Sequence, residues 1–454
     1  MQNNTSQMGE ENVTRLLIRF SLPAIVGMLV MATYNLVDTI FVGRLGSEAI
    51  AALSVAFPLQ MSLGAVGIGT GVGAASLISR SLGLDNKEKA EKALGQVISL
   101  ALVFGLVTAV ISIFYLRPLL IFLGTTPDII MFTEDYMKVI AYGSVMFFLI
   151  MILNNVVRAE GNPLFSMTVM IVSAIVNIVL DPIFIFLLEM GVQGAAIATV
   201  LSKIIGIVMI LHYYLMKKSV LKLHHKNLRL QWNIVKDIYI IGVPAMIQPL
   251  STNISLIIAN IILAVYGHVP IAVMGVVFRL QMFATMPILG ISQGLLPIIG
   301  FNFGAKKLGR IRDALIKSGA ASTVLITFIG TVFFLKPSFF MGIFSAEEEL
   351  LTIGSHALRL MVIMFPLVGI QIISTIFFQA TGKGIPSLIL SLLREVILFI
   401  PFILLMSNLY GLTGIWIARP MSDLAAFLLT FALTAYELKR LGIPLWHKQN
   451  LVKT

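Results

Sequence analysis

The 454-residue chain contains no cysteine, which excludes disulfides, a thiolate nucleophile and any cysteine-ligated metal, and leaves the redox compartment open. Charge is also scarce: 12% of residues are Asp, Glu, Lys or Arg, about half of the roughly 25% carried by a soluble domain. With 58% hydrophobic residues and a mean hydropathy of +0.97, the chain reads as an integral membrane protein. Neither H-E-x-x-H nor G-x-x-x-x-G-K-[ST] occurs, so zinc-protease and P-loop chemistry are excluded. Gly290-Ile291-Ser292-Gln293-Gly294 spells a hydrolase elbow but lies inside an apolar run with no strand before it. Small residues that let helices approach closely are the expected reading there and at Gly67, Gly69, Gly71 and Gly73.

What the chain does contain is twelve apolar runs, each long enough to cross a ~30 Å hydrocarbon core as a helix. They cover approximately 16–42, 50–79, 93–116, 133–157, 163–188, 192–215, 236–265, 270–300, 313–335, 354–380, 386–407 and 412–436. We number them helices 1 to 12. Little chain is left over, so a fused ATPase or large soluble catalytic unit is excluded, and the chain is not read as an enzyme. The net charge of +11 does not signal nucleic acid, because Lys and Arg are scattered through short loops. Alternate loops carry 23 of them and the opposite loops only Arg44, Arg117 and Lys336, which places both termini in the cytoplasm. Glu10 and Glu11, with no small-residue cleavage site after the first apolar run, argue that this run is retained. His224 and His225 read as a solvated pair without partners.

The chain repeats itself. At an offset of 221, Leu22-Pro23-Ala24 aligns with Val243-Pro244-Ala245, Ile50-Ala51 with Ile271-Ala272, and Phe57, Leu59, Gln60 and Met61 with Phe278, Leu280, Gln281 and Met282. Near the end an offset of 220 aligns Gly191, Gly194 and Ile197 with Gly411, Gly414 and Ile417. Six spans per repeat give both halves one topology, and in transporters such halves flank a substrate cavity. The expected organisation is an all-α protein with an N-lobe over 1–215, a basic linker loop over 216–235, a C-lobe over 236–437 and a tail over 438–454. Pro23, Pro182, Pro244, Pro287 and Pro297 are candidate bending points within the spans.

The halves differ in their acids, since Asp38 aligns with Ala259 and Asp181 with Pro401. Asp38, Asp181 and Thr199 lie about 4, 6 and 7 residues from the outer ends of helices 1, 5 and 6, on the order of 6–10 Å deep at 1.5 Å per residue. Asn177 shares a helical face with Asp181, and Tyr136 falls at the same level. Intramembrane carboxylates are costly and default to function. These hard oxygens suit either a proton or a monovalent cation such as Na⁺. The competing reading has Asp38 in water at a helix end and Asp181 serving the backbone freed by Pro182. Lys203, one turn from Thr199, either tunes the acids or pairs with Asp181. In the C-lobe, Arg279, Arg359, Arg394 with Glu395, and Arg419 with Asp423 are read as structural pairs, a second proton relay being the sharper alternative. Arg419 and Asp423 are spaced for an i, i+4 pair, whereas adjacent Arg394 and Glu395 should point about 100° apart.

The run Pro23 to Gly46, with Tyr34-Asn35-Leu36-Val37-Asp38 and Phe41-Val42-Gly43-Arg44-Leu45-Gly46, the Gln60-to-Arg80 helix, Arg158-Ala159-Glu160-Gly161-Asn162-Pro163 and Asn177 to Pro182 resemble the multidrug and toxic compound extrusion (MATE) family. Asp38 with Asn-x-x-x-Asp-Pro on helix 5 is similar to its DinF-type prokaryotic branch. The resemblance implies a V-shaped pair of six-helix lobes around a central cavity, working as a monomer in a prokaryotic plasma membrane. It implies antiport of drugs, dyes and other amphipathic cations against H⁺ or Na⁺ by rocking lobes, with no cofactor. It also implies a cation site at Asp38, Asn177, Asp181 and Thr199, and cavity or relay roles for Tyr34, Tyr136 and Asn154. Acids of the NorM-type branch on helices 7 and 10 are missing. A lipid-linked oligosaccharide flippase is the alternative, kept open by Arg279 and Arg394.

Overall fold

A computed structural model describes residues 2–443 apart from 217 and 346; the end of the expected tail, 444–454, lies outside the described residues. A short helix, Gln2–Glu10, precedes helix 1 (Val13–Gly43), helix 2 (Ser47–Gly83) and helix 3 (Lys87–Phe122). Helix 4 comes in two pieces (Ile130–Tyr142 and Ser144–Ala159), followed by helix 5 (Pro163–Pro182) and helix 6 (Gly191–Leu215). The second half holds helix 7 (Trp232–Leu263), helix 8 (His268–Gly304) and helix 9 (Leu308–Leu335). Helix 10 is again in two pieces (Glu348–Val362 and Phe365–Ala380), and helices 11 and 12 share the stretch Gly384–Arg440. Asparagines start several of them: Asn12, Asn86 and Asn162 each accept a hydrogen bond from a backbone N–H in the first turn, Thr14, Lys89 and Phe165 at 2.9, 3.0 and 3.2 Å.

Among the described residues nine stretches are long and apolar enough to cross a membrane, and two bent pairs, the halves of helices 4 and 10, add one each. The 57-residue Gly384–Arg440 stretch is too long for one crossing, and at Gly411 (φ 58°, ψ −137°) it folds into an antiparallel hairpin of two. The twelve expected spans are therefore present. The expected single helices 4 and 10 need correction, being bent by 56° and 52°. Helix 7 also begins at Trp232, inside the stretch expected as linker.

The duplication extends to backbone conformation. Left-handed φ angles recur at the repeat offset: Gly46 and Gly267 (125° and 100°), Asp85 and Lys306 (57° each), Gly161 and Gly382 (106° and 80°), and Gly191 and Gly411 (57° and 58°). Each pair ends or begins the same helix in its own half.

Apolar burial defines the V. One core draws on both halves, joining Phe20, Ile78 and Phe148 to Leu295, Ile311 and Phe377. Two further cores stay within one lobe each, one around Leu120, Tyr136 and Ile185 and the other around Met274, Phe365 and Trp416. The lobes therefore meet at the end carrying most Lys and Arg, here the basic end, and part toward the other. At the junction a Cβ on Gly73 would strike the Ile238 carbonyl and one on Gly83 the Phe301 carbonyl, so the spans touch backbone to backbone. Gly290 and Gly294 likewise pack on the backbone of helix 1 at Ile25 and Phe20, which answers the hydrolase-like spelling.

Polar contacts fasten the same end. Ser76 Oγ donates to the Gln379 carbonyl at 2.5 Å, and Lys89 Nζ lies 2.7 Å from Asp237 Oδ2. The N-terminal strap is held by the other half of the molecule: Arg310 Nη2 donates to the carbonyls of Met8 (3.2 Å) and Glu11 (2.6 Å), and Asn302 Nδ2 to that of Met8 (2.9 Å). Met8 itself is fully buried.

Candidate functional site: a carboxylate cluster in the N-lobe

Helix 5 carries Asn177 and Asp181 one turn apart, just before Pro182 and a π turn at Ile183–Leu187. Both are buried. The Asn177 amide donates to Asp181 Oδ1 (3.2 Å) and to Thr199 Oγ1 of helix 6 (3.4 Å), tying three of the four expected cation-site residues together. Asp38 and, one turn earlier, Tyr34 face them from helix 1. The charges of Asp38 and Asp181 act on each other and on the hydroxyls of Tyr34 and Tyr136. Tyr136 is buried and accepts a hydrogen bond from Gln60 Nε2 at 2.9 Å. Gln60 was read only as part of the repeat; an amide inside an apolar span is the signal that marks it.

Three acceptors in this cluster, Asp38 Oδ1, Asn177 Oδ1 and Asp181 Oδ2, are shielded from solvent with no hydrogen-bond donor among the described residues. For Asp38 the shielding concerns Oδ1, and the residue as a whole is half-buried. Lys203 contributes charge without closing a pair. Its Nζ sits 5.2 Å above the Phe147 ring and acts on Asp38, and among the described residues it forms no ion pair with Asp181. The cluster thus offers unsatisfied hard oxygens, two of them anionic, which is the donor set a proton or a small monovalent cation neutralises.

Asn154 lies elsewhere. It sits toward the basic end of helix 4, where Ser166 Oγ donates to its Oδ1, and Arg158 reaches Ser166 Oγ (3.2 Å) and Asn155 Oδ1 (2.7 Å). It belongs to a network that seats helix 5 on helix 4, apart from the acids. Just beyond, Glu160 is buried where the chain leaves helix 4, and Ser219 of the linker donates to its carboxylate. Burial pushes the Glu160 carboxyl up to about 7.

The C-lobe charges form a different object. Arg419 clasps Glu395 with two hydrogen bonds (2.8 and 2.9 Å), and Arg394 Nε lies 2.7 Å from Asp423 Oδ1. The weaker contacts, Arg419 to Asp423 at 3.7 Å and Arg394 to Glu395 at 3.8 Å, close the four into a ring across the helix 11–12 hairpin. The expected i, i+4 pair of Arg419 and Asp423 is present as the longer of the Asp423 contacts, beside the cross-hairpin pair to Arg394, and Arg394 and Glu395 lie on a π turn at Leu393–Ile397. Arg279 is exposed on helix 8 and takes no part in the ring. His224 also differs from expectation, standing 3.6 Å from Glu91.

A duplicated, twelve-span bundle whose lobes share a core at one end and part at the other, with unsatisfied acids in one lobe, defines a carrier. The MatE family profile matches residues 23–183 and 244–405, two segments that begin 221 residues apart, and the chain belongs to that family. It is 30% identical over 424 residues to the multidrug export protein MepA of Staphylococcus haemolyticus, covering 93% of each chain. The same protein of Staphylococcus aureus is 30% identical over 426 residues, with 93% and 94% covered. Among solved structures, the fold is similar to one described as the outward-facing conformation of a multidrug resistance MATE family transporter of the MOP superfamily. The TM-score there is 0.91, with 26% identity and 96% and 98% of the two chains covered. A MOP superfamily transporter from Pyrococcus furiosus, described as having a binding pocket of reversed polarity that suggests a different function, aligns with a TM-score of 0.90, 26% identity and 96% and 98% coverage.

Proposed function

We propose that this MATE-family chain is a multidrug efflux antiporter of the DinF type that exports amphipathic, mostly cationic organic compounds in exchange for H⁺ or Na⁺. The observation that carries this reading is the set of shielded, donor-free oxygens of Asp38, Asn177 and Asp181. The basic end is taken as cytoplasmic by the excess of Lys and Arg there, so the lobes part toward the outside of a prokaryotic plasma membrane. In that outward-facing form the two carboxylates lack compensating charge, and an entering cation removes the cost of burying them. Because only a neutralised cluster tolerates further loss of water, cation binding favours the swing that closes the outer end, and a cationic drug competes for the same negative potential. Tyr34, Tyr136 and Gln60 line the path to the acids.

The relatives named for multidrug export support the substrate class. A flippase for pyrophosphate-linked lipids would need free cations in the cavity; of Arg279 and Arg394, Arg394 is committed to carboxylates, and the acids Asp38 and Asp181 weigh against the remaining Arg279. Reconstituted in liposomes, the protein should expel a fluorescent cationic dye under an imposed pH or Na⁺ gradient, and Asp38→Asn and Asp181→Asn should each cut that rate at least about tenfold. Dye movement at full rate in both variants, or none under either gradient, overturns the reading.

A further inference from the structure

The linker between the lobes is not slack. Gln96 on helix 3 donates through Nε2 to the carbonyls of Asn227 (2.8 Å) and Arg229 (2.9 Å) and accepts at Oε1 from the Gln231 N–H (2.6 Å). Ser99 Oγ donates to the Leu228 carbonyl (2.5 Å), and the bare Cα of Gly95 leaves room for the Asn227 backbone. These anchors lie 8 to 12 residues along helix 3 from Lys87, about 12–18 Å up the helix. Immediately above them helix 3 turns lipid-facing, with Leu102, Val103 and Leu106 exposed. The inward side of the linker is thus fixed by hydrogen bonds at the level where the apolar band begins.

Its outward side is cationic and greasy together. Lys222, His224, His225, Lys226 and Arg229 are exposed, as are Leu223, Leu230 and, at 76%, Trp232. Glu91 is the acid facing this stretch, and it is occupied by the Lys222 N–H (3.0 Å), His224 (3.6 Å) and Lys87 (3.9 Å). Among the described residues no carboxylate lies within ion-pair distance of the side-chain charges of Lys222, Lys226 or Arg229. Cations beside an exposed tryptophan at the edge of an apolar band match the charge and depth of phosphate headgroups.

We propose that residues 222–232 are a docking site for anionic phospholipid headgroups of the leaflet at the basic end, with Trp232 and Leu230 seated at the glycerol level and Lys222, Lys226 and Arg229 on phosphates. The site holds the N-lobe to that leaflet through Gln96 and Ser99. It is independent of the coupling reading, since it requires only that the chain spans a bilayer.

The test uses the purified full chain in mixed micelles, titrated with phosphatidylglycerol or phosphatidylcholine while thermal unfolding is followed. Phosphatidylglycerol should raise the melting temperature well beyond phosphatidylcholine. The triple variant Lys222→Gln, Lys226→Gln, Arg229→Gln should weaken apparent phosphatidylglycerol binding by on the order of tenfold or more. A control triple, Arg15→Gln, Lys306→Gln, Lys439→Gln, removes the same charge elsewhere on the basic end and should keep the preference. Equal loss in both triples reduces the effect to net charge and overturns the proposal. So does equal stabilisation by inorganic phosphate, which marks a free-anion site. A linker variant that keeps the wild-type melting temperature in phosphatidylcholine but loses the phosphatidylglycerol response separates the proposal from misfolding.

Discussion

The two lobes share one backbone plan and spend their buried charges in opposite ways. At the repeat offset of 220, Arg419 stands where the N-lobe has Thr199, and Asp423 where it has Lys203. In the C-lobe the result is a neutral ring of two arginines and two acids, with the Arg394 carbonyl further bound by Ser422 (2.8 Å) and the Asp423 carbonyl by Gln371 (2.6 Å). In the N-lobe two acids face one offset lysine, and their outer oxygens have no donor. Duplication supplied two equivalent pockets. In one each acid is paired with an arginine, which braces helices 11 and 12 even though Asp423 Oδ2 and Arg419 Nε still lack a hydrogen bond, and in the other the two acids form no ion pair among the described residues.

The sharpest way to break that contrast is to remove one acid from each lobe. Glu395→Gln should cost about 3–5 kcal/mol in unfolding measurements, because it strands a buried guanidinium, while efflux per folded molecule stays near wild type. Asp181→Asn should do the reverse, losing gradient-driven efflux with stability changed by less than about 1 kcal/mol, since it removes a buried charge that has no partner. If the two variants behaved alike, the division of labour between the lobes would be wrong.

Smaller effects sharpen the picture of the closed end. Gly73→Val should force the lobes apart against the Ile238 backbone. In a protein with no native cysteine, a Ser79→Cys reporter at the buried junction should then react with a maleimide roughly tenfold faster, a shift of about 1.4 kcal/mol. Arg310→Ala, which frees the Glu11 carbonyl and leaves that of Met8 to Asn302 alone, should raise the same reactivity less, for a loss of about 1 kcal/mol. A separate test, spread over a pH range, is Glu160. Its folded pKa of about 7 lies above the ordinary 4.5, so the folded state holds the extra proton between those values. The stability this supplies is fully present below pH 4.5 and is lost as pH rises to 7. Glu160→Gln should flatten that slope, on the order of 2–3 kcal/mol across the window.

Much of this arrangement was legible in the sequence. Span length gave the twelve crossings, self-alignment gave the duplication, and residue counting from helix ends placed Asp38, Asp181 and Thr199 at one depth. Counting works there because an antiparallel helix pair converts sequence distance from a turn into depth. It cannot see a bend, so helices 4 and 10 were read as straight; the chain is apolar on both sides of Gly143 and nothing in the hydropathy marks the break. Nor does the sequence show the hairpin fold at Gly411 that brings Arg394 beside Asp423 and Glu395 beside Arg419. Asn154 and Arg279 were polar residues in apolar runs with nothing in the sequence to say which way they faced. The clasp on the N-terminal strap was invisible for another reason: Arg310 holds backbone carbonyls, which every residue has.

The grip of Gln96 on Gln231 has a geometric consequence. Helix 7 begins at the very next residue, so no free chain separates the lobes at this corner, and the covalent link acts as a pivot point rather than a flexible leash. A relative motion of the lobes that kept this bond would be a rotation about it. Helix 7 is 32 residues long, about 48 Å, so each degree of such a rotation would carry its far end by roughly 0.8 Å. A small angular change beside the membrane surface would then become a wide displacement at the opposite mouth.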